Sequence, residues 1–393
     1  MITLSPATLD FIRTHTHDDV RTLALQAHKF PEVNMEIAIR QLAGHRVLAE
    51  KVPSWSIVEG LLYPRHLSLE QCSSEATAHY KASLATGDSF VDLTGGFGID
   101  CAFLAKQFAQ AVYVERQEEL CALAAHNFPL LGLSHISVCN DDGIAYLWRM
   151  QPVDLLFIDP ARRNEQGGKT VAISDCEPDV AALATLLISK ARRVMIKLSP
   201  MLDLTLALRD MPSTQQAHIL SVNNECKELL LIAAREPVEE VAIHCINLTT
   251  KGTQTFSFTR EAEQRTECTY TDKLETYLYE PNASILKAGA FRSIASFYKV
   301  KKLHPNSHLY TSNERIENFP GRTFRITSTG SLNKKELKAL MQGATKANIT
   351  VRNFPATVAE LRKRTKLADG GAVYLFATTL ANEQKVLICG EKL

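Results

Sequence analysis

A chain of 393 residues exceeds what one hydrophobic core usually organises, so two or three domains are expected. A hydrophobic content of 45%, a charged content of 22% and a formal charge of +1 describe a globular protein and on average point to neither nucleic acid nor membrane. Nine cysteines scattered without a CxxC pair exclude a zinc ribbon or a disulfide framework and suit a reducing cytoplasm; the start MITLSPATLDFIRTHTHDD lacks signal-peptide character, and no window is apolar enough to span a membrane.

Residues 1–65 carry helical periodicity over 7–15, 20–27 and 35–48, punctuated by Pro31, Pro53 and Pro64, and read as a small helical region. Trp55 and Tyr63, in the connecting segment, suit packing against the next domain better than stacking on a base. Residues 66–86 predict a helix entered at Ser68, with Gln71 completing a capping box. That helix delivers Ser73, Ser74 and Thr77, as ligands or merely as caps, to the stretch that follows.

This stretch, FVDLTGGFGID at 90–100, joins a short apolar strand to a helix through a turn holding Gly95, Gly96 and Gly98. Glycine lets the backbone turn sharply and approach a ligand with no Cβ in the way, and the helix start offers unpaired N–H groups. From here strands and helices alternate as in a doubly wound sheet, with strands at 90–93, 111–115, 136–140, 153–159, 193–198, 217–222 and 229–234. Their C-terminal ends should share the edge where ligands bind.

After Arg235 the pattern changes. Alternating runs at 241–248 and 253–259 read as strands and 261–272 as a polar connector, with a mixed segment at 274–325. The tail reads strand, helix (334–344), strand (348–353), helix (358–365), turn, and two strands (372–379 and 385–389), a compact α+β module. Between Ser331 and Lys366 nine basic residues, among them Lys334, Lys335, Arg362 and Arg364, face two acidic ones, a local balance of +7. Such clustering suits phosphate-backbone binding, with a solvated helix face as the plain alternative.

On the sheet edge, Glu115 ends the second strand 17 positions after Gly98, where a carboxylate accepts both hydroxyls of a ribose. The dinucleotide pattern G-x-G-x-x-G would need glycine at Cys101, whereas S-adenosylmethionine carries no phosphate and tolerates cysteine there. Asp92 ends the first strand, and Asp141, after the third, suits an adenine amine. Asp159-Pro160 closes the apolar fourth strand as IDPARR, placing a carboxylate where it could orient an amine nucleophile toward a methyl donor. Arg162 and Arg163 could clamp a phosphate, and Lys197, at the fifth strand tip, could contact substrate. The histidines have no spacing that supports a metal site.

Together FVDLTGGFGID, Glu115, Asp141 and IDPARR resemble class I S-adenosylmethionine-dependent methyltransferases. With LSLEQCSSEATAHYKA, IKLSPMLD, EPNASILKAGAF, NSHLYTS and VRNFPATVAELRKRTKLADGGAVYLFATT, the chain resembles the bacterial members that carry a C-terminal THUMP-like domain. The resemblance implies a Rossmann-like α/β fold with a seven-stranded sheet, and the organisation 1–65 helical, 66–236 methyltransferase, 237–273 connector, 274–321 ferredoxin-like and 322–393 THUMP-like. It further implies S-adenosyl-L-methionine as cofactor and RNA (tRNA or rRNA) as partner, and with the reading of Asp159 as the acceptor of an amine the expected target is a base nitrogen. Cofactor contacts would then fall on Ser73, Ser74, Thr77, Asp92, Thr94, Gly95, Gly96, Gly98, Asp100, Glu115 and Asp141.

Two departures stand out. Thr94 replaces the first glycine of D-x-G-x-G-x-G; a T-x-G-x-G-x-D turn of this kind resembles that of a ribosomal guanine-N2 methyltransferase, with Asp100 as the acid. Ala161 and Arg162 occupy the places where amino-methyltransferases carry proline and a base-stacking aromatic. The second departure leaves other readings open: a pyrimidine-C5 RNA methyltransferase using Cys176 as nucleophile, a non-catalytic RNA-binding protein with a retained cofactor pocket, or methylation of a protein or small molecule.

Overall fold

The computed structural model describes residues 4–162, 172–341 and 343–393. Two compact units result, Met1–Gln215 with Leu229–Pro237, and Gln216–Glu228 with Val238–Leu393.

The first unit opens with helices α1 (Pro6–Thr14), α2 (Val20–Leu25), α3 (Met35–Lys51) and α4 (Pro53–Ser56), the first three N-capped by Ser5, Asp19 and Asn34. Phe11, Leu23, Ala38 and Leu42 form their shared core. Trp55 is buried, edge-on to Phe97 and stacked on Phe103, so it packs as expected. Where one helix is expected from Ser68, the chain forms two, α5 (His66–Gln71) and α6 (Glu75–Ser83). The reason is local: Cys72 and Ser74 are extended, and Ser74 accepts the Thr77 N–H as the N-cap of α6.

The α/β elements follow in the expected sequence. They are β1 (Ser89–Asp92), α7 (Ile99–Ala105), β2 (Gln110–Glu115), α8 (Glu118–Leu130), β3 (Ile136–Asn140), α9 (Gly143–Arg149) and β4 (Val153–Ile158). Next come a short antiparallel pair, β5 (Ala161–Arg162) with β6 (Cys176–Glu177), then α10 (Ala184–Lys190), β7 (Ala191–Leu198), α11 (Leu204–Asp210), β8 (Thr214–Val222) and β9 (Glu225–Ala234). In the first unit the sheet order is β9-β7-β4-β1-β2-β3. Neighbours are parallel, except that β9, through Leu229–Ala234, runs antiparallel to β7. Residues Leu155 to Ile158 of β4 are buried on both faces, as a central strand requires. Because β1, β4 and β7 are parallel neighbours, their C-terminal ends, Asp92, Asp159 and Lys197, leave the sheet side by side.

In the second unit the order is β11-β10-β8-β9, with β10 (Ala242–Thr249) parallel to β8 and antiparallel to β11 (Gly252–Phe258); β9 contributes its first residues here, so all seven expected strands form. The expected polar connector contains α12 (Arg260–Arg265), started by Thr259. Its Glu263 carboxylate accepts the N–H groups of Phe291, Arg292 and Ser293, capping a later helix, which is why an acidic run folds there.

The remaining elements build a second sheet. They are β12 (Tyr277–Pro281), α13 (Ala283–Ala288), α14 (Phe291–Tyr298), β13 (Lys301–Lys302), β14 (Tyr310–Ser312), β15 (Gly321–Gly330), α15 (Lys334–Met341), β16 (Asn348–Arg352), α16 (Val358–Thr365), β17 (Val373–Thr379) and β18 (Lys385–Lys392). Their order is β13-β14-β12-β15-β18-β17-β16. Alternation along β17 and β18 divides the two faces. Leu375, Ala377, Leu387 and Cys389 pack with Leu337 and Leu340 of α15 and Leu361 of α16, while Phe376 and Ile388 face Leu303, Leu309 and Phe324. Both helices thus cover the same face. Among the described residues, no helix is long and apolar enough to cross a membrane.

Candidate active site

The glycine turn is built by packing as much as by flexibility. A Cβ on Gly95 would lie 2.2 Å from the Tyr113 ring, so only glycine fits beneath it. Gly96 (φ +55°) and Gly98 (φ +87°) need the left-handed region, and a Cβ on Gly96 would meet nothing closer than 3.8 Å, so backbone conformation rather than space requires glycine there. The Tyr113 hydroxyl donates to the Gly96 carbonyl at 2.5 Å, and the Gly96 N–H donates to Glu115 Oε2 at 3.0 Å. Glu115 Oε1 accepts the Gln117 N–H at 2.8 Å, so this buried carboxylate sits at the turn in a fixed orientation.

Three carboxylates meet at the strand tips. Asp92 is buried and accepts the Thr94 N–H at 2.9 Å. Burial, with the nearby Asp100 and Asp159 charges, pushes its carboxyl well above the ordinary range. Asp100, in the first turn of α7, takes Lys81 Nζ at 3.0 Å on Oδ1, and Lys197 Nζ at 3.2 Å and the Ser73 hydroxyl at 2.7 Å on Oδ2. Burial opposes its charge, but the two ammonium groups and Ser73 outweigh that cost and hold the carboxyl below its usual value. Lys197 also reaches Asp159 Oδ2 at 2.6 Å. The Asp159 N–H donates to Thr94 Oγ1 at 2.7 Å, a bond glycine at that position could not make.

Of the other expected site residues, Ser74 and Thr77 bond each other across the first turn of α6, a capping arrangement, while Ser73 faces Asp100. Asp141 is ion-paired with Arg149 and accepts the Asp142 N–H at 2.8 Å. Pro160 is buried next to the half-exposed Asp159. Arg162 pairs by backbone with Cys176, whose side chain is 1% exposed; Arg163 lies outside the described residues. In the second unit, Lys335 and Arg364 are exposed on α15 and α16, and Lys334 opens α15. Arg362 is committed elsewhere, ion-paired with Asp369 and donating to the Ala347 and Leu367 carbonyls.

Lys81 was not anticipated. It is fully buried on α6, four residues after Thr77 and seven after Ser74, so its place on their helix face was a usable signal.

Carboxyl groups surround the turn, with Asp92 and Glu115 beside it and Asp100 at the start of α7, and the two ammonium groups there, Lys81 and Lys197, are already paired with carboxylates, which disfavours a pyrophosphate at that helix end. A cationic, phosphate-free ligand with a ribose diol fits the same residues.

Comparison with known proteins identifies the C-terminal domains and the relatives of the chain. Residues 277–320 match a ferredoxin-like domain and 321–392 a THUMP domain-like module. Over its whole length the chain is similar to a candidate methyltransferase from Porphyromonas gingivalis W83, with 36% identity, a TM-score of 0.89 and 100% of each chain covered. It is also 34% identical over 77 residues to a protein-L-isoaspartate O-methyltransferase of Koribacter versatilis (strain Ellin345), a match spanning 20% of this chain and 35% of that enzyme. From the full-length similarity and the C-terminal match, the chain belongs to the family of class I methyltransferases that carry a C-terminal THUMP-like domain.

Proposed function

We propose that the protein transfers a methyl group from S-adenosyl-L-methionine to a nitrogen of an RNA base. The observation carrying this reading is the position of Asp159, tied to the glycine turn through Thr94 and to Asp100 through Lys197. When bound, the cofactor supplies an electrophilic methyl group on a sulfonium. Glu115 and the Gly96 backbone would hold the ribose, Asp92 and Asp100 would face the cationic end, and Asp141 would meet the adenine. Asp159, on the neighbouring strand tip, would accept an N–H of the target amine and aim its lone pair, a positioning role that supplies most of the rate in a direct displacement.

The RNA partner rests on the second unit. Lys335, Lys346, Lys363, Arg364 and Lys366 are exposed on or beside the two helices that share one sheet face. The two acidic residues of this segment are also exposed, but each is engaged at a helix start: Glu336 accepts the Ser331 N–H, and Glu360 forms a capping box with Thr357. An exposed basic layer with its acids spent on helix starts suits a phosphate backbone.

The test is mass spectrometry of RNA nucleosides from cells lacking the protein. A methylated nucleoside that disappears, returns with the wild-type gene and does not return with Asp159→Ala is the expected result. An unchanged nucleoside profile overturns the RNA assignment. Burial of Cys176 disfavours the pyrimidine-C5 mechanism, which needs an accessible thiol.

A further inference from the structure

Lys81, Asp100, Lys197 and Asp159 form a continuous chain of ion pairs at the sheet edge, and their formal charges cancel. Lys197 is the member that spans two functions, with one ammonium between the carboxylate of the glycine-turn helix and the one expected to orient the acceptor. It is nearly enclosed, with 13% of its side chain exposed, so its charge is poorly screened.

We propose that Lys197 is a positioning residue that sets the charge of the transfer site. By occupying Asp159 and Asp100 together, it stops the cationic cofactor from capturing Asp159 as a counter-ion and keeps that carboxylate aligned for the target amine. The inference rests on the proposed use of S-adenosylmethionine. That cofactor and its product, S-adenosylhomocysteine, differ by one positive charge, so their relative affinity reads the charge of the site directly.

The experiment is calorimetry of both molecules on the full chain, comparing wild type with K197M, K197R, D159N and the double variant K197M/D159N. K197M leaves an uncompensated carboxylate and is expected to raise the preference for S-adenosylmethionine over S-adenosylhomocysteine by about tenfold, the scale of one partly screened charge at close range. D159N is expected to lower that preference by a similar factor. The double variant, neutral again, should return to within about twofold of wild type, and K197R should resemble wild type.

If K197M changes both affinities equally, the proposal is overturned, because a merely structural lysine would do that. Should K197M fail to fold, D159N decides alone, and an unchanged preference there overturns the proposal. Wild-type protein that binds neither molecule overturns the cofactor assignment itself, a distinguishable result.

Discussion

Each unit holds a buried carboxylate between two cations, and the two are built to different ends. In the second unit Glu280, 2% exposed, takes Arg322 Nε at 2.8 Å on one oxygen and Arg352 Nη2 at 3.0 Å on the other. Glu280 and Arg322 are cross-strand partners on β12 and β15, whereas Arg352 comes from the edge strand β16, so the sheet curls until its edge reaches back. Planar guanidinium groups suit such a closed clasp. In the first unit Asp100 takes two lysines instead, and one of them is shared with Asp159 at the strand tips. The clasp shapes the fold, and the shared lysine leaves a charge balance that a ligand can tip.

That contrast can be broken in order of expected effect. Asp159→Asn should cut methyl transfer to an identified RNA by about a thousandfold, since an aligned acceptor is worth that much in a direct displacement. The cofactor should still bind, with only the roughly tenfold loss of preference over S-adenosylhomocysteine expected above, and single-turnover kinetics at saturating cofactor together with calorimetry checks both halves. Glu280→Gln should leave cofactor binding intact yet destabilise the second unit by about 2 kcal/mol, the scale of weakening hydrogen bonds to two half-exposed guanidinium groups. Denaturant unfolding would read this, and an unaltered midpoint would show the clasp to be dispensable.

Thr94→Val removes the acceptor for the Asp159 N–H and should lower stability by about 1–2 kcal/mol, with a loss of turnover exceeding any loss of cofactor affinity. Asp92→Asn probes burial. The folded-state pKa of Asp92 is raised, so the folded protein favours its protonated form, and the ionised form weakens stability as pH rises above the ordinary carboxylate value. The variant should therefore melt higher than wild type at neutral pH, with the gap closing as pH falls into the acid range. Smallest is the effect of reversing Lys335 and Arg364, which should weaken RNA binding with little regard to sequence and flatten its salt dependence by about two ions.

Much of this was legible in the chain. All seven strands of the α/β region and the helices at α15 and α16 lie where periodicity and turn residues place them, because each signal is local. The single helix expected from Ser68 is two, with Ser68 inside the first and Ser74 capping the second, because the extended backbone at Cys72 and Ser74 interrupts a stretch whose composition is helical throughout. The arginines of the basic tail divide for a reason composition does not carry. Arg352 and Arg362 are spent on Glu280 and Asp369, whereas Arg364 remains exposed.

What the sequence alone determined is the set of reactive groups and the turn that presents them: acids at or just past the ends of the first four strands, a lysine at the fifth, three glycines, and a threonine where glycine is usual. What the tertiary structure decided is who touches whom. Lys197 and Asp100 are 97 residues apart, and Asp159 and Thr94 are 65 apart. No local pattern links them. They meet because parallel pairing of β1, β4 and β7 brings three strand ends to one edge, where burial makes each charge seek the nearest partner.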